Sequence, residues 1–400
     1  MIEGKSDADA FFIIRSGSVK LVKETENIIE SGTNALNPGD FFGVISCMSG
    51  HPRIESAISL TDVSLIVVKK NQFGLLIQKN APIALKIIRS FSQQLRNFDE
   101  AVTKLSFKKS AESDPTELYN IGLYYLNSKN SSLAVYAFYK FLKLCQEKGG
   151  DAIEKAKKHY SNLKRYARDA MNVDSPNEGF TRSFKHNTFI FCEHEPGHEL
   201  YIIQAGKVKI TKIVGDSEVM LALLNPGDIF GEMAILDNKP RSANAIAEGD
   251  VTVFAVNKEN FQAMVTKQPQ LATKLITLLA ERIWLIYRQL ANILIKEPQG
   301  RLYDTLFTQI LKHRIEPKKG LGFTFDFSVS DLLKMTGLDP VNDRKLADTI
   351  FQGNNKFRIN EDGKIFCNDV EEIQKMVNYY KKIEQLEKKR EKQKKLYGRR

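Results

Sequence analysis

The sequence predicts an α+β chain with two small β-barrels, a helical insert between them, one long helix, and a C-terminal module of helices and a β-ribbon. Three observations predict it. Short β-branched runs separated by glycine and proline turns mark the barrels. The turn sequence Asn-Pro-Gly-Asp occurs twice, at Asn37–Asp40 and Asn225–Asp228. Apolar residues at helical spacing fill 114–170 and 261–295.

The second barrel is the more informative. Tyr201-Ile202-Ile203 and Val208-Lys209-Ile210 read as short strands joined by a turn at Ala205-Gly206, and Val251 to Val256 reads as a later strand. Between them, Phe230 to Ala245 carries the candidate chemistry. Gly231 lets backbone N–H groups approach a ligand with no Cβ in the way. Met233 to Leu236 suit one helical turn, whose free N–H groups favour an anion. Glu232 can accept a hydrogen bond from a ribose hydroxyl. Pro240 stiffens the return, Arg241 offers a planar fork to two phosphate oxygens, and Ser242 adds a hydroxyl. An alternative is that Glu232 and Arg241 simply pair with each other in an empty pocket.

Phe230-Gly231-Glu232 followed by Pro240-Arg241-Ser242-Ala243 resembles the phosphate-binding cassette of cyclic-nucleotide-binding domains. The resemblance implies a jelly-roll barrel over 178–296. It implies that Glu232 binds the ribose hydroxyl and Arg241 the cyclic phosphate. Gly231, Met233, Ala234, Ser242 and Ala243 complete the ligand-binding set. Ser242 follows the bacterial cAMP-type pattern, so cAMP is the expected regulatory ligand, with cGMP the alternative.

Residues 1–105 repeat the pattern in degenerate form. Ile13 to Gly17 echoes Ile202 to Gly206, and Phe42-Gly43 and Pro52-Arg53 echo Phe230-Gly231 and Pro240-Arg241. Val44 stands where the ribose-binding acid is expected, and Ile54-Glu55 where Ser242-Ala243 stand. Valine accepts no hydrogen bond and a carboxylate repels phosphate. The repeat opens at about its third strand, so its leading edge is expected to be short or absent. This domain is expected to pack or pair; phosphate binding through Arg53 is the lesser alternative.

Asp114-Pro115 signals a helix start. Leu118, Ile121, Gly122 and Tyr125, then Ala134, Phe138 and Phe141, resemble one tetratricopeptide hairpin within 114–170, and Ile153 to Arg168 reads as a third helix. A single repeat cannot bury its own faces. It is expected to dock between the barrels or to take a protein partner; a plain helical linker is the alternative.

Phe261 to Ile295 is strongly apolar at helical spacing, no proline breaks it between Pro269 and Pro298, and a helix of about 25 residues, roughly 37 Å long, is expected there. Leu271, Leu275, Leu278, Leu279, Ile283, Ile286, Leu290 and Leu294 make an apolar stripe. The resemblance to the catabolite activator (Crp/Fnr) group implies a long dimerisation helix and hence a homodimer. It also implies that the purine meets the region of Trp284 to Tyr287; packing against the chain's own barrel is the alternative.

Residues 298–380 follow the order of a winged helix-turn-helix in that group. Gly300 to Leu311 reads as a helix. Ser330 caps the next one, Leu332 and Leu333 face the core, and Gly337 permits the turn. A second helix is expected from about Pro340 to Phe351, then a two-stranded wing over Phe357 to Phe366. Double-stranded DNA is the implied partner, through Asn342, Arg344 and Lys345. Asp339 and Asp343 depart from the group's basic pattern and would face phosphate. The rival reading keeps the module for protein contacts.

Bulk composition narrows the classes. Net charge is +11, of which the last 20 residues supply +7 from ten Lys or Arg against three Glu, so 381–400 is a basic tail. The four cysteines are scattered without metal spacing, and the six histidines form no ligand set. A reducing, cytoplasmic setting is expected, with no metal. No apolar run reaches membrane-spanning length. No nucleophile–base pair or Walker-type loop is present, so the expected protein is not an enzyme.

Overall fold

The computed structural model describes residues 1–5, 8–23, 35–107, 116–145, 150–167, 180–214, 217–339, 341–352 and 355–397. Two compact units divide the chain, one holding most of residues 1–283 and the other the residues from Trp284 onward.

The first unit opens with β1 (Ala10–Ser16), β2 (Val19–Val22), β3 (Ala35–Leu36), β4 (Phe41–Phe42), α1 (Val44–Ser49), β5 (Ser56–Ser59) and β6 (Ser64–Lys69). They form two three-stranded sheets, β4-β1-β6 and β3-β2-β5, around Ile14, Val19 and Phe42. Leu65, Ile66 and Val67 on β6 stay exposed. Helix α2 (Phe73–Lys79) leads into α3 (Ala81–Phe107), two residues longer than the expected domain end at 105. Its spacing predicts one buried stripe, and Ile87, Ile88, Phe91, Leu95 and Phe98 are all buried.

The insert follows as α4 (Glu117–Asn127), α5 (Ser131–Cys145) and α6 (Asp151–Leu163). Asp114, Pro115 and Arg168, expected at its ends, lie outside the described residues. Gly122 has the role its position suggests, because a Cβ there would sit 2.7 Å from the Phe138 ring. The insert shares one apolar core with Phe189, Cys192 and Ile246 of the second barrel, so its partner is that barrel.

The second barrel comprises β7 (Thr181–Phe184), β8 (Phe189–Phe191), β9 (Glu199–Val214), β10 (Ser217–Leu224), β11 (Ile229–Phe230), α7 (Glu232–Asp237) and β12 (Asn244–Asn257), in one six-stranded sheet. The expected hairpin at Ala205-Gly206 is instead a kink inside the single strand β9. Gly206 has φ +80°, and a Cβ on it would meet the Asp250 carbonyl at 2.3 Å; the pairing with β12 shifts register there. Both strands therefore turn a corner together without ending. The Asn225–Asp228 turn forms as expected, with Asp228 N–H donating to Asn225 O.

Helix α8 (Lys258–Lys267) ends before Pro269, and α9 (Pro269–Ile293) has the 25 residues expected. Its stripe differs from a free seam. Leu275, Leu279, Ile283, Ile286 and Leu290 are already buried within the single chain. Leu271 is exposed, and Leu278 and Leu294 are half-buried.

In the second unit, α10 (Pro298–Lys312), β13 (Phe323–Ser328), α11 (Val329–Met335), α12 (Arg344–Gln352), β14 (Phe357–Ile359), β15 (Lys364–Cys367) and α13 (Val370–Tyr397) surround a core of Leu302, Leu306, Phe325, Leu332, Ile365 and Val370. Four details differ from the sequence reading. The cap of α11 is Ser328, in a capping box with Asp331, rather than Ser330. The ribbon has a third strand, β13, in the order β13-β15-β14. Helix α12 begins at Arg344 rather than near Pro340, which lies outside the described residues. The segment expected as a tail continues α13 as far as Tyr397.

Among the described residues no helix is long and apolar enough to cross a membrane, and no group of three or more His, Cys, Asp or Glu could hold a metal ion. The four cysteines are free thiols and buried.

Candidate functional site

The cassette is built as its residue types dictate. Gly231 precedes α7 with φ +75°, a left-handed conformation that a side chain resists. This places Glu232 at the start of α7, fully buried, while the chain returns through Arg241, also buried. A narrow cleft is lined by Gly231, Glu232, Met233, Ala234, Arg241, Ser242 and Ala243. All seven expected ligand-binding residues therefore meet at one place. Phe191, Phe230, Ile210 and Arg282 complete the lining.

Glu232 and Arg241 do not pair with each other. Arg241 Nη1 donates to Gly231 O at 2.7 Å and Nη2 to Glu199 O at 2.8 Å. Its guanidinium lies 4.1 Å from the centre of the Phe191 ring. On another side, Gly197 approaches so closely that a Cβ would fall 2.7 Å from Arg241 Cζ. Burial lowers the arginine's pKa, against the pull of Tyr201, Glu195 and Glu232. Its Nε has no hydrogen-bond partner among the described residues. Glu232 Oε1 accepts from Arg282 Nη1 at 3.2 Å, while Oε2 has no partner among them. A buried acceptor and a buried donor are thus left over on two residues that line one cleft, and buried polar groups ordinarily have partners.

Sequence reasoning missed the neighbours of this cleft. Arg282 is one of three cations on α9, with Lys274 and Arg288, and nothing in the sequence pattern singles it out. Helix α3 of the first barrel lies against α7, and Arg96 donates to Pro240 O at 3.3 Å. Asp99, one turn along α3, is buried; burial raises its pKa, and Arg282 is the foremost neighbour pulling it back. His51 of the first barrel meets Glu281 of α9 at 3.3 Å. Each barrel's cassette region is therefore contacted by a helix from beyond the other. The purine region expected at Trp284 to Tyr287 supplies no lining residue; Trp284, Ile286 and Tyr287 are buried, and α9 contributes Arg282 instead.

In the second unit, Asn342, Arg344 and Lys345 are all exposed around the start of α12. Arg344 Nε donates to Asp348 Oδ1 at 3.1 Å. The two acids expected to face phosphate are engaged locally. Asp339 Oδ1 accepts the N–H groups of Val341 and Asn342, and Asp343 Oδ2 accepts that of Asp339. Those backbone bonds lower the Asp339 pKa.

With this geometry in place, the comparisons with known proteins agree on a class. The model of the cyclic nucleotide-binding domain matches residues 2–80 and 181–268. The chain is 29% identical over 167 residues to the CRP-like cAMP-activated global transcriptional regulator of Mycobacterium tuberculosis, covering 41% of this chain and 74% of that protein. It is 32% identical over 149 residues to the cyclic AMP receptor protein of Thermus thermophilus, covering 37% of this chain and 66% of that one. A third relative, the cAMP-dependent protein kinase regulatory subunit of Hypocrea atroviridis, is 35% identical over 85 residues, covering 21% of this chain and 18% of that one. The chain therefore carries a cyclic nucleotide-binding domain on a mixed α/β fold, and it has transcriptional regulators of the Crp/Fnr type among its relatives.

Proposed function

We propose that the chain is a cyclic-nucleotide-responsive transcriptional regulator that takes cAMP in its second barrel and binds duplex DNA through its C-terminal winged helix. The observation that carries this reading is that two residues lining one cleft each keep a buried polar atom without a partner among the described residues, Glu232 Oε2 and Arg241 Nε. A ribose hydroxyl donates to the first and a phosphate oxygen accepts from the second. Ser242 lies on the same lining and offers its hydroxyl to the phosphate. The first barrel, with Val44 in place of the acid, serves as a packing module. Exposed Asn342, Arg344 and Lys345 suit contact with bases and phosphates. A homodimer would present two winged modules, and its contact along the predicted stripe would be confined to Leu271 and Leu278 of α9 and to Leu294 just beyond its end. The setting is cytoplasmic.

A second reading is favoured by one observation, the burial of most of the α9 stripe within a single chain. On that reading the protein senses a cyclic nucleotide, cAMP or cGMP, and acts through protein contacts. Fluorescence anisotropy with duplex DNA across a salt series separates the two. The regulator reading predicts affinity that rises with cAMP, falls steeply with salt and drops with Arg344→Ala and Lys345→Ala. Affinity lost only when 381–400 are removed would overturn it.

A further inference from the structure

We propose that Tyr136 and Lys140 of the helical insert are positioning residues for Arg241, acting through the loop that joins β8 to β9. The inference rests on the reading of the second barrel as a cyclic-nucleotide site.

The loop Cys192–His198 bridges the insert and the cassette. At one end its Glu195 side chain is buried. Lys140 Nζ lies 3.2 Å from Glu195 Oε2, and the Tyr136 hydroxyl donates to the same oxygen at 3.4 Å. The other oxygen, Oε1, accepts the Cys192 N–H. Burial raises the Glu195 pKa, and Lys140 is the foremost neighbour holding it down. A buried carboxylate without such partners would be expensive.

At the other end the same loop grips Arg241. Arg241 N–H donates to Glu195 O at 2.8 Å, and His194 N–H donates to Arg241 O at 3.0 Å. His194 has φ +69°, a left-handed conformation unusual for histidine, and this hydrogen bond accompanies it. Two residues beyond Glu195, Gly197 lies against the guanidinium and against Ala234 of α7. One residue thus carries both linkages: its side chain is held by α5 and its carbonyl holds Arg241. The insert itself is seated on the barrel by independent contacts. Tyr125 donates to Glu218 at 2.6 Å, and Asn130 donates to Asn187 at 3.1 Å. Tyr125 and Tyr136 both pack on Phe189. These contacts fix where Lys140 stands, so the insert sets the loop and the loop sets the arginine.

The test uses the full chain and cAMP as the probe. Lys140→Met, Lys140→Arg and Tyr136→Phe are compared with the parent by calorimetric titration. Thermal unfolding reports whether each folds, and the Nε–H NMR signal of Arg241 reports its surroundings. The expected result is about tenfold weaker binding for Lys140→Met and a smaller loss for Tyr136→Phe, each with a displaced Arg241 signal and a cooperative melt. Lys140→Arg is expected to restore most of the affinity. If Lys140→Met does not fold, Tyr136→Phe, which removes one hydroxyl, decides. A parent chain that binds cAMP alongside folded variants with unchanged affinity and an unmoved Arg241 signal overturns the inference. A parent chain that does not bind cAMP overturns instead the reading on which it rests.

Discussion

Arg53 and Arg241 make the same pair of hydrogen bonds in their two barrels. Arg53 Nη1 reaches Gly43 O at 3.0 Å and its Nη2 reaches Ala10 O at 2.8 Å. Arg241 Nη1 and Nη2 reach Gly231 O and Glu199 O, the corresponding carbonyls, at 2.7 and 2.8 Å. The arginine therefore has a structural role in both copies, tying the cassette glycine to the start of a strand. What separates the copies is the residue after that glycine, Val44 in one and Glu232 in the other, and the pair after the arginine, Ile54-Glu55 against Ser242-Ala243. A structural arginine kept beside a lost acid accounts for a degenerate barrel that still folds.

This duality sets the outcome of two substitutions. Arg53→Ala strands two carbonyls and should cost about 1–3 kcal/mol of stability, with little change in cyclic nucleotide affinity. Arg241→Ala should cost similar stability and also weaken binding by about 10- to 150-fold through the lost charge-assisted bonds. Chemical denaturation and calorimetry on the same samples read both effects.

Arg282 is the partner of a fully buried carboxylate. Arg282→Ala leaves Glu232 charged and unpaired, at an expected cost of about 3 kcal/mol without ligand. The double variant Arg282→Ala with Glu232→Gln should recover much of that stability, because the charge itself is gone. Urea unfolding of the three proteins checks this, and a double variant no more stable than Arg282→Ala would contradict it.

Burial raises the pKa of Asp99 above its ordinary value of 3.8. A carboxyl that holds its proton more tightly when folded loses stability as pH rises from its unfolded pKa through its folded one. Asp99→Asn removes that loss. Thermal melts of the two proteins should therefore differ least below about pH 4 and increasingly favour the variant above it. A variant that instead falls behind the parent as pH rises would show that its neighbours, Arg282 first among them, outweigh its burial.

Gly122 is the contact point of the insert hairpin. Gly122→Ala puts a methyl 2.7 Å from Phe138 and should lower the melting temperature by the equivalent of about 1–3 kcal/mol of overpacking. An unchanged melt would mean that the α4–α5 contact is looser than described.

The sequence made the cassette legible because its chemistry is local. Gly231, Glu232 and Arg241 lie within eleven positions, and the turn that supports them has a duplicate to compare it with. The 25-residue helix was legible for the same reason, since an uninterrupted apolar period stops only at prolines. What could not be read was long-range. Nothing near Arg282 in the sequence says that it faces Glu232, fifty residues away. Nothing near Glu195 says that α5 holds it. The hairpin expected at Ala205-Gly206 became a kink because the deciding partner, Asp250, lies across the sheet. The stripe on α9 read as a seam because an apolar face shows that it is buried, but not by what.

The most direct test is calorimetric titration of cAMP and cGMP into the full chain, its Arg241→Ala variant and its Arg53→Ala variant. The account predicts one cAMP per chain, sharply weakened by Arg241→Ala and nearly unchanged by Arg53→Ala. Absence of binding by the parent chain, or binding that survives loss of Arg241 and vanishes with Arg53, would contradict it.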